Sequence, residues 1–225
     1  MSTLMYLASA ILLFASHAVP SWPGVRPALV ERLGRPGFIA VHSLLSVVTL
    51  TLFVLAYRAA DTSGHVFFPA DGAAKLAVAL MPVAFFLMIA RVTTKFGEPQ
   101  APKPPAGIYR ITRFPGSVGL LLWALLHLQA TGDARRVILF ATMAAIALFA
   151  MFKNDWVLRN SGNPDAAAFR AQTSAVPFAA VLARRQRIVW REIGWARLLG
   201  ALLVTAAILY AHPLVFGVDP LYWLP

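Results

Sequence analysis

Apolar residues fall into six long runs separated by shorter polar stretches, with no alternation at a period of two. Each run is read as a helix crossing a bilayer, which needs about 20 apolar residues. The predicted spans are Leu4 to Val19, Phe38 to Tyr57, Leu76 to Val92, Pro115 to Ala130, Val137 to Phe152 and Ala196 to Phe216. Pro20 ends the first and Pro36-Gly37 opens the second. Pro82 is a candidate kink in the third, Pro115 suits the first turn of the fourth, and His212-Pro213 interrupts the sixth. The first, fourth and fifth are short for a full crossing. The expected fold is an all-α integral membrane bundle of about six helices forming one domain over residues 1–225.

Between the spans, Glu98 to Pro105 (EPQAPKPP) reads as an extended Pro-rich linker. Phe178 to Trp195 mixes apolar side chains with four arginines, and fits either a basic helix on the membrane surface or a solvated loop anchored by aromatics. There is no long internal repeat of the kind that builds two-fold transporters.

Composition strengthens this reading. In 225 residues, 59% are hydrophobic and 13% charged, and mean hydropathy is +0.69. That is too little polar surface for a soluble domain of this size. The net charge of +11 would suggest nucleic acid in a soluble protein. Here sixteen of the twenty Lys and Arg residues fall in the first, third and fifth loops; the other four are Arg58, Lys75, Arg135 and Arg136. By the positive-inside rule those three loops are cytoplasmic, both termini lie on the far side, and the partner of the basic surface is membrane lipid, not nucleic acid. No Lys or Arg precedes the first apolar run, so it is read as a retained span and not a cleaved signal.

Candidate chemistry is sparse. The chain has no cysteine, which removes disulfides, thiolate metal sites and cysteine nucleophiles. No Asp or Glu pair sits in a span, and no phosphate-loop, dinucleotide or hydrolase motif is present. Asp155 is expected in a loop ion pair beside Lys153, and Asp133 in the turn between the fourth and fifth spans. Five histidines remain. His17, His127 and His212 lie in or at the ends of spans, His42 near the start of the second, and His65 in an outer loop. Buried histidines serve as interhelical hydrogen-bonding groups or as metal ligands.

Several short motifs occur in family order. They are His17-Ala18-Val19-Pro20-Ser21 with Arg26 and Arg32-Leu33-Gly34, then Arg113-Phe114-Pro115-Gly116, Trp123-x-x-x-His127-Leu128 and Gly132-Asp133. This series resembles the NnrU family of membrane proteins. The run from Thr173 to Ala180 with Arg185-Gln186, and Tyr210-Ala211-His212-Pro213-Leu214, resemble the zeta-carotene isomerase branch of the same superfamily.

The resemblance implies a membrane haem b protein whose axial ligands match His17 and His127, with Trp123 in the second ligand's motif. For the bacterial branch it implies support of nitrite and nitric oxide metabolism, as sensor, electron carrier or accessory factor. For the isomerase branch it implies haem-dependent cis–trans isomerisation of a carotenoid-like polyene. Three departures favour the first: Phe114 stands where the family has His, Ala124 where the isomerase has Cys, and no plastid transit sequence precedes the first span, which fits a bacterial inner membrane. A cofactor-free structural protein is the third reading. The ligand would be a nitrogen oxide or a polyene, and a redox partner is left open.

Depth complicates the ligand pair. At 1.5 Å per residue, His17 lies about 20 Å from the outer end of its span, and His127 about 20 Å from Arg113 at the opposite face. The pairs at matching depth are His17 with His42 and His127 with His212, so His212 is held as substitute ligand. Haem propionates favour arginine. Arg26, Arg32 and Arg113 are the candidates, and a propionate on any of them would turn the haem edge toward the basic side.

Overall fold

The computed structural model describes residues 2–60, 64–98 and 101–222, and Pro99-Gln100 of the expected linker lie outside the described residues. The structure is helical: α1 (Thr3–Ala18), α2 (Arg26–Ala59), α3 (Ala73–Thr93), α4 (Pro115–Thr131), α5 (Ala134–Asn160), α6 (Pro164–Gln172), α7 (Ala179–Leu182), α8 (Trp190–Ile193) and α9 (Trp195–Phe216). A 3-10 turn covers Gly107–Arg110. The linker folds back on itself, with β1 (Gly97–Glu98) antiparallel to β2 (Ala101–Pro102).

All six apolar runs lie in helices, but four of those helices, α2, α3, α5 and α9, are long and apolar enough to cross a membrane. With 16 and 17 residues, α1 and α4 reach only about 24–26 Å at 1.5 Å per residue, against a hydrocarbon core of about 30 Å.

Local signals explain most boundaries. The Ser2 hydroxyl accepts from the Met5 N–H at the start of α1, and Asp133 accepts from the Arg136 N–H at the start of α5. Gly132, at φ 68°, closes α4 in the left-handed region. A Cβ there would overlap the Phe67 carbonyl, because the preceding loop crosses at this point: the Val66 N–H donates to the Gly132 carbonyl at 2.8 Å.

Four boundaries differ from expectation. Helix α2 begins at Arg26 and not at Phe38, with a break at Gly34 (φ 69°, ψ 161°) where only glycine is unstrained. Helix α5 continues past Phe152 to Asn160, so Lys153 and Asp155 are helical and not loop residues. Helix α9 runs through His212-Pro213 to Phe216: Pro213 gives up the N–H that would reach the Leu209 carbonyl, and the last turn is still closed by the Gly217 N–H on the Pro213 carbonyl at 3.0 Å. The stretch Phe178 to Trp195 forms no continuous basic helix. Left-handed backbone at Phe178 and Arg184, then at Gly194, leaves two single-turn helices.

The main helix contacts run in the order α2, α1, α5, α4, α3, α9. The directions follow from side-chain contacts. The Tyr6 hydroxyl donates to the Arg135 carbonyl at 3.0 Å, which puts the starts of α1 and α5 together. Gln129 donates to the Ala73 carbonyl at 2.8 Å, joining the end of α4 to the start of α3. Arg197 donates to the Thr93 hydroxyl at 2.8 Å, joining the end of α3 to the start of α9. Both ends of the described chain therefore lie at one end of the bundle, and the Arg-rich segments at the other. Between lipid-facing helices burial gives little driving force, and close packing matters more. Gly119 carries this contact between α4 and α3: a Cβ there would lie 2.7 Å from the Ala84 carbonyl oxygen and 2.9 Å from Met88 Cγ.

Candidate functional site

Three of the five histidines share one arrangement. The ring Nδ1 of His17 lies 3.0 Å from the Leu13 carbonyl, that of His127 lies 2.9 Å from the Trp123 carbonyl, and that of His212 lies 2.7 Å from the Val218 carbonyl. A carbonyl only accepts, so in each contact the ring Nδ1–H donates. This is how metal-binding imidazoles are held, with the non-ligating nitrogen fixed by a backbone acceptor. The motif Trp123-x-x-x-His127 therefore has a local cause: four residues is one helical turn, which puts the Trp123 carbonyl beneath the His127 ring.

The imidazoles group into two pairs at opposite ends of the bundle. At the basic end, the His17 and His42 rings lie 6.2 Å apart, and His42 stacks on Phe38 at 5.6 Å. The Ser16 and Thr49 hydroxyls bond across α1 and α2 at 2.9 Å just beside them. His42 Nδ1 is buried with no partner, and its ring is within electrostatic range of His17, Lys153 and Arg26. At the far end, the His127 ring is packed against Trp123 at 4.7 Å and stacked on Phe140 at 4.6 Å. It is within electrostatic range of His212, whose own ring contacts Phe216 at 4.8 Å.

The pair implied by the resemblance, His17 with His127, does not fit a single haem in this arrangement. His127 lies at the level of Phe140 and His17 near that of Phe149, which contacts Phe14 and Trp22. Nine residues of α5 separate those levels, about 14 Å along the axis. That is too far for both rings to hold one iron; the His17 and His42 rings lie 6.2 Å apart, and His127 is within electrostatic range of His212.

The three arginines assigned to propionates are not brought together. Arg26 lies over the Phe38 ring at 5.6 Å. Arg32 is exposed on the first arm of α2. Arg113 is 8% exposed and its guanidinium is already engaged: it donates to Asp155, to the Thr173 hydroxyl at 3.1 Å, and to the Thr173 and Arg170 carbonyls at 2.8 and 3.0 Å. Burial pulls the Arg113 pKa down, and Asp155 opposes that shift. Asp155 also pairs with Arg159 at 2.9 Å and Arg170 at 3.6 Å, in place of the pairing expected beside Lys153. Asp133, expected in turn chemistry, caps α5 and bridges to His65.

Sequence reasoning missed this network, which joins two of the motifs. Backbone bonds tie Arg113 to Ser174 at 2.8 Å and Phe178 to Ile111 at 2.9 Å, so the Arg113-Phe114-Pro115 motif and the Thr173 to Ala180 run form one cap on the basic end. A second clasp joins Glu192 to Arg110 at 2.8 Å and to the Gly107 N–H at 2.7 Å. The Arg110 guanidinium, followed by the Gly107 N–H, holds the Glu192 carboxyl below its ordinary pKa. The signal available in the sequence was the unusual arginine density; the partners are 42 to 85 residues apart and carry no local pattern.

The NnrU protein family model matches residues 5–220. Among characterised relatives, the chain is 32% identical over 123 residues to the chloroplastic 15-cis-zeta-carotene isomerase of Arabidopsis thaliana, covering 52% of this chain and 33% of the relative. It is 29% identical over 112 residues to the isomerase of the same name from Zea mays, covering 48% of this chain and 31% of that protein. The matches therefore span about a third of the relatives' length. No solved structure matches the chain.

Proposed function

The chain belongs to the NnrU family, and from that premise we propose that it is a membrane-embedded cis–trans isomerase acting on a carotenoid-like polyene. The similarity of about half the chain to two zeta-carotene isomerases carries this reading and puts it ahead of support for nitrite and nitric oxide metabolism, which the three sequence departures favoured. The far-end histidines and the rings around them are its candidate substrate site. A polyene dissolved in the bilayer meets apolar helix faces laterally, and the His127 ring stands between two aromatic rings with its Nδ1 held by the Trp123 carbonyl. Rotation about a double bond needs its bond order lowered transiently, and the aromatic walls hold a conjugated chain by stacking and exclude water.

Because His17 and His127 are separated along the bundle, no step is routed through haem. Haem b stays a proposal of its own, with the His127–His212 pair as the donor set at one depth. The orientation proposed with it is basic end cytoplasmic and both termini on the opposite side of a bacterial inner membrane.

The test expresses the full chain in a strain that accumulates a cis-zeta-carotene and follows the isomers by chromatography. Conversion to the trans product above the empty-vector rate supports the proposal. No conversion, together with a growth defect on nitrite when the gene is deleted, returns the function to nitrogen-oxide metabolism. Absorption spectra of the purified protein, oxidised and reduced, answer the haem question separately: sharp reduced α and β bands mean low-spin haem.

A further inference from the structure

The first arm of α2 and the end of α5 enclose an open cavity of about 410 Å³ at the basic end of the bundle. Its wall includes Arg26, Arg35 and Lys153, with Asn154 and Asn160 as neutral donors and the Trp156 ring as an apolar side; no Asp or Glu lines it. The nearest carboxylate in sequence, Asp155, is committed to Arg113, Arg159 and Arg170. Lys153 is half-buried, feels the charge of Arg26, and has no carboxylate partner among the described residues. Two half-buried cations, Arg26 and Lys153, with no carboxylate among the described lining residues favour an anion between them.

We propose that this cavity binds a phosphate-bearing anion, and that the phosphate comes from the headgroup of an anionic membrane lipid. Arg26 and Lys153, with the two amides, match the several acceptor oxygens of a phosphate. The location matches a headgroup. Trp22 stacks on Trp156 at 6.4 Å, and tryptophans gather where hydrocarbon meets headgroups. The Gly34 break separates the first arm of α2 from the spanning part, leaving an arm able to lie along the interface and cover the cavity. The proposal is independent of the isomerase reading, since none of these residues belongs to the His127 end.

The experiment titrates the purified full-length protein in neutral detergent with short-chain phosphatidylglycerol, short-chain phosphatidylcholine and inorganic phosphate. Thermal midpoint and lipid retention in native mass spectrometry are the readouts. Phosphatidylglycerol is expected to stabilise and be retained over phosphatidylcholine. Arg26→Gln and Lys153→Met should each weaken that binding about fivefold, the effect of one basic residue near an anionic surface. Arg187→Gln, the same charge change on the exposed stretch after α7, should leave it unchanged. Without any anion, Lys153→Met should melt no lower than the parent, because it removes an unpaired charge; this shows that lost binding is not lost folding. Stabilisation by inorganic phosphate alone, lost in the same two variants, would identify a free phosphate as the source. Equal binding of the two lipids with no response to phosphate, or an equal loss in Arg187→Gln, overturns the proposal.

Discussion

The two imidazole pairs are made of the same side chain and have opposite surroundings. His17 and His42 lie among Arg26 and Lys153 in the arginine-rich end, beside two hydroxyls and a charged cavity. His127 and His212 lie among Trp123, Phe140 and Phe216. Added positive charge beside an imidazole disfavours a metal cation and attracts anions, whereas an aromatic wall suits an apolar substrate. The neighbours, more than the histidines, divide the molecule into a charged end and an aromatic one.

The largest effect should come from breaking what holds the basic end together. Arg113→Ala leaves Asp155 short of its most buried partner, takes the guanidinium donor from the Arg170 carbonyl and leaves the Thr173 carbonyl to Arg185 at 3.3 Å. It should cost on the order of 3–5 kcal/mol, read as a lower thermal midpoint in detergent. Arg113→Lys should recover only part of the loss, because one ammonium cannot replace a fork that donates to four acceptors. The aromatic end has no comparable network, and truncating Arg135, which lies over the Tyr57 ring at 4.8 Å, should cost less than about 1 kcal/mol by the same assay.

A middle-sized effect tests the seam that positions His127. Gly119→Leu must push α4 from α3, since even a Cβ meets the Ala84 carbonyl oxygen. A loss of about 1–3 kcal/mol is expected, with the far-end histidines displaced while the cap on the basic end keeps its protection in hydrogen exchange. Protection lost equally at both ends would mean that the two regions are one cooperative unit.

Smaller changes sharpen the contrast. Thr49→Val removes the hydroxyl that faces Ser16 beside the basic-end histidines and should cost about 1 kcal/mol, with no change in any reaction at His127. The smallest expected effect is in pH. The Glu192 carboxyl has its pKa depressed by Arg110 and Gly107, so its contribution is present above the ordinary glutamate value of about 4.3 and fades as pH falls through its lower folded value. Being partly exposed, it contributes little. Acid should loosen α8 and the 3-10 turn slightly, seen in melts from pH 6 to 3, and Glu192→Gln should flatten that slope.

Much of this organisation was legible in the chain. Apolar run length located all six helices, and the Lys and Arg split anticipated which loops share an end. Counting helical rise separated His17 from His127 and paired His17 with His42, a pairing that their ring contact agrees with. The rest had physical reasons to stay hidden. The early start of α2 depends on a single glycine at positive φ, the continuation of α5 turned Asp155 from a loop acid into a buried hub, and its partners in the Arg113 and Thr173 motifs meet it only through tertiary packing.

The most direct test of the division compares conversion of a cis-zeta-carotene by the parent chain, His127→Ala and His42→Ala in one membrane preparation, with expression matched by immunoblot. The account predicts that His127→Ala loses at least about a hundredfold of the parent rate, the scale of removing a group that acts on the reacting centre, while His42→Ala stays within a few-fold of it. The reverse pattern, with His42→Ala inactive and His127→Ala active, would contradict it.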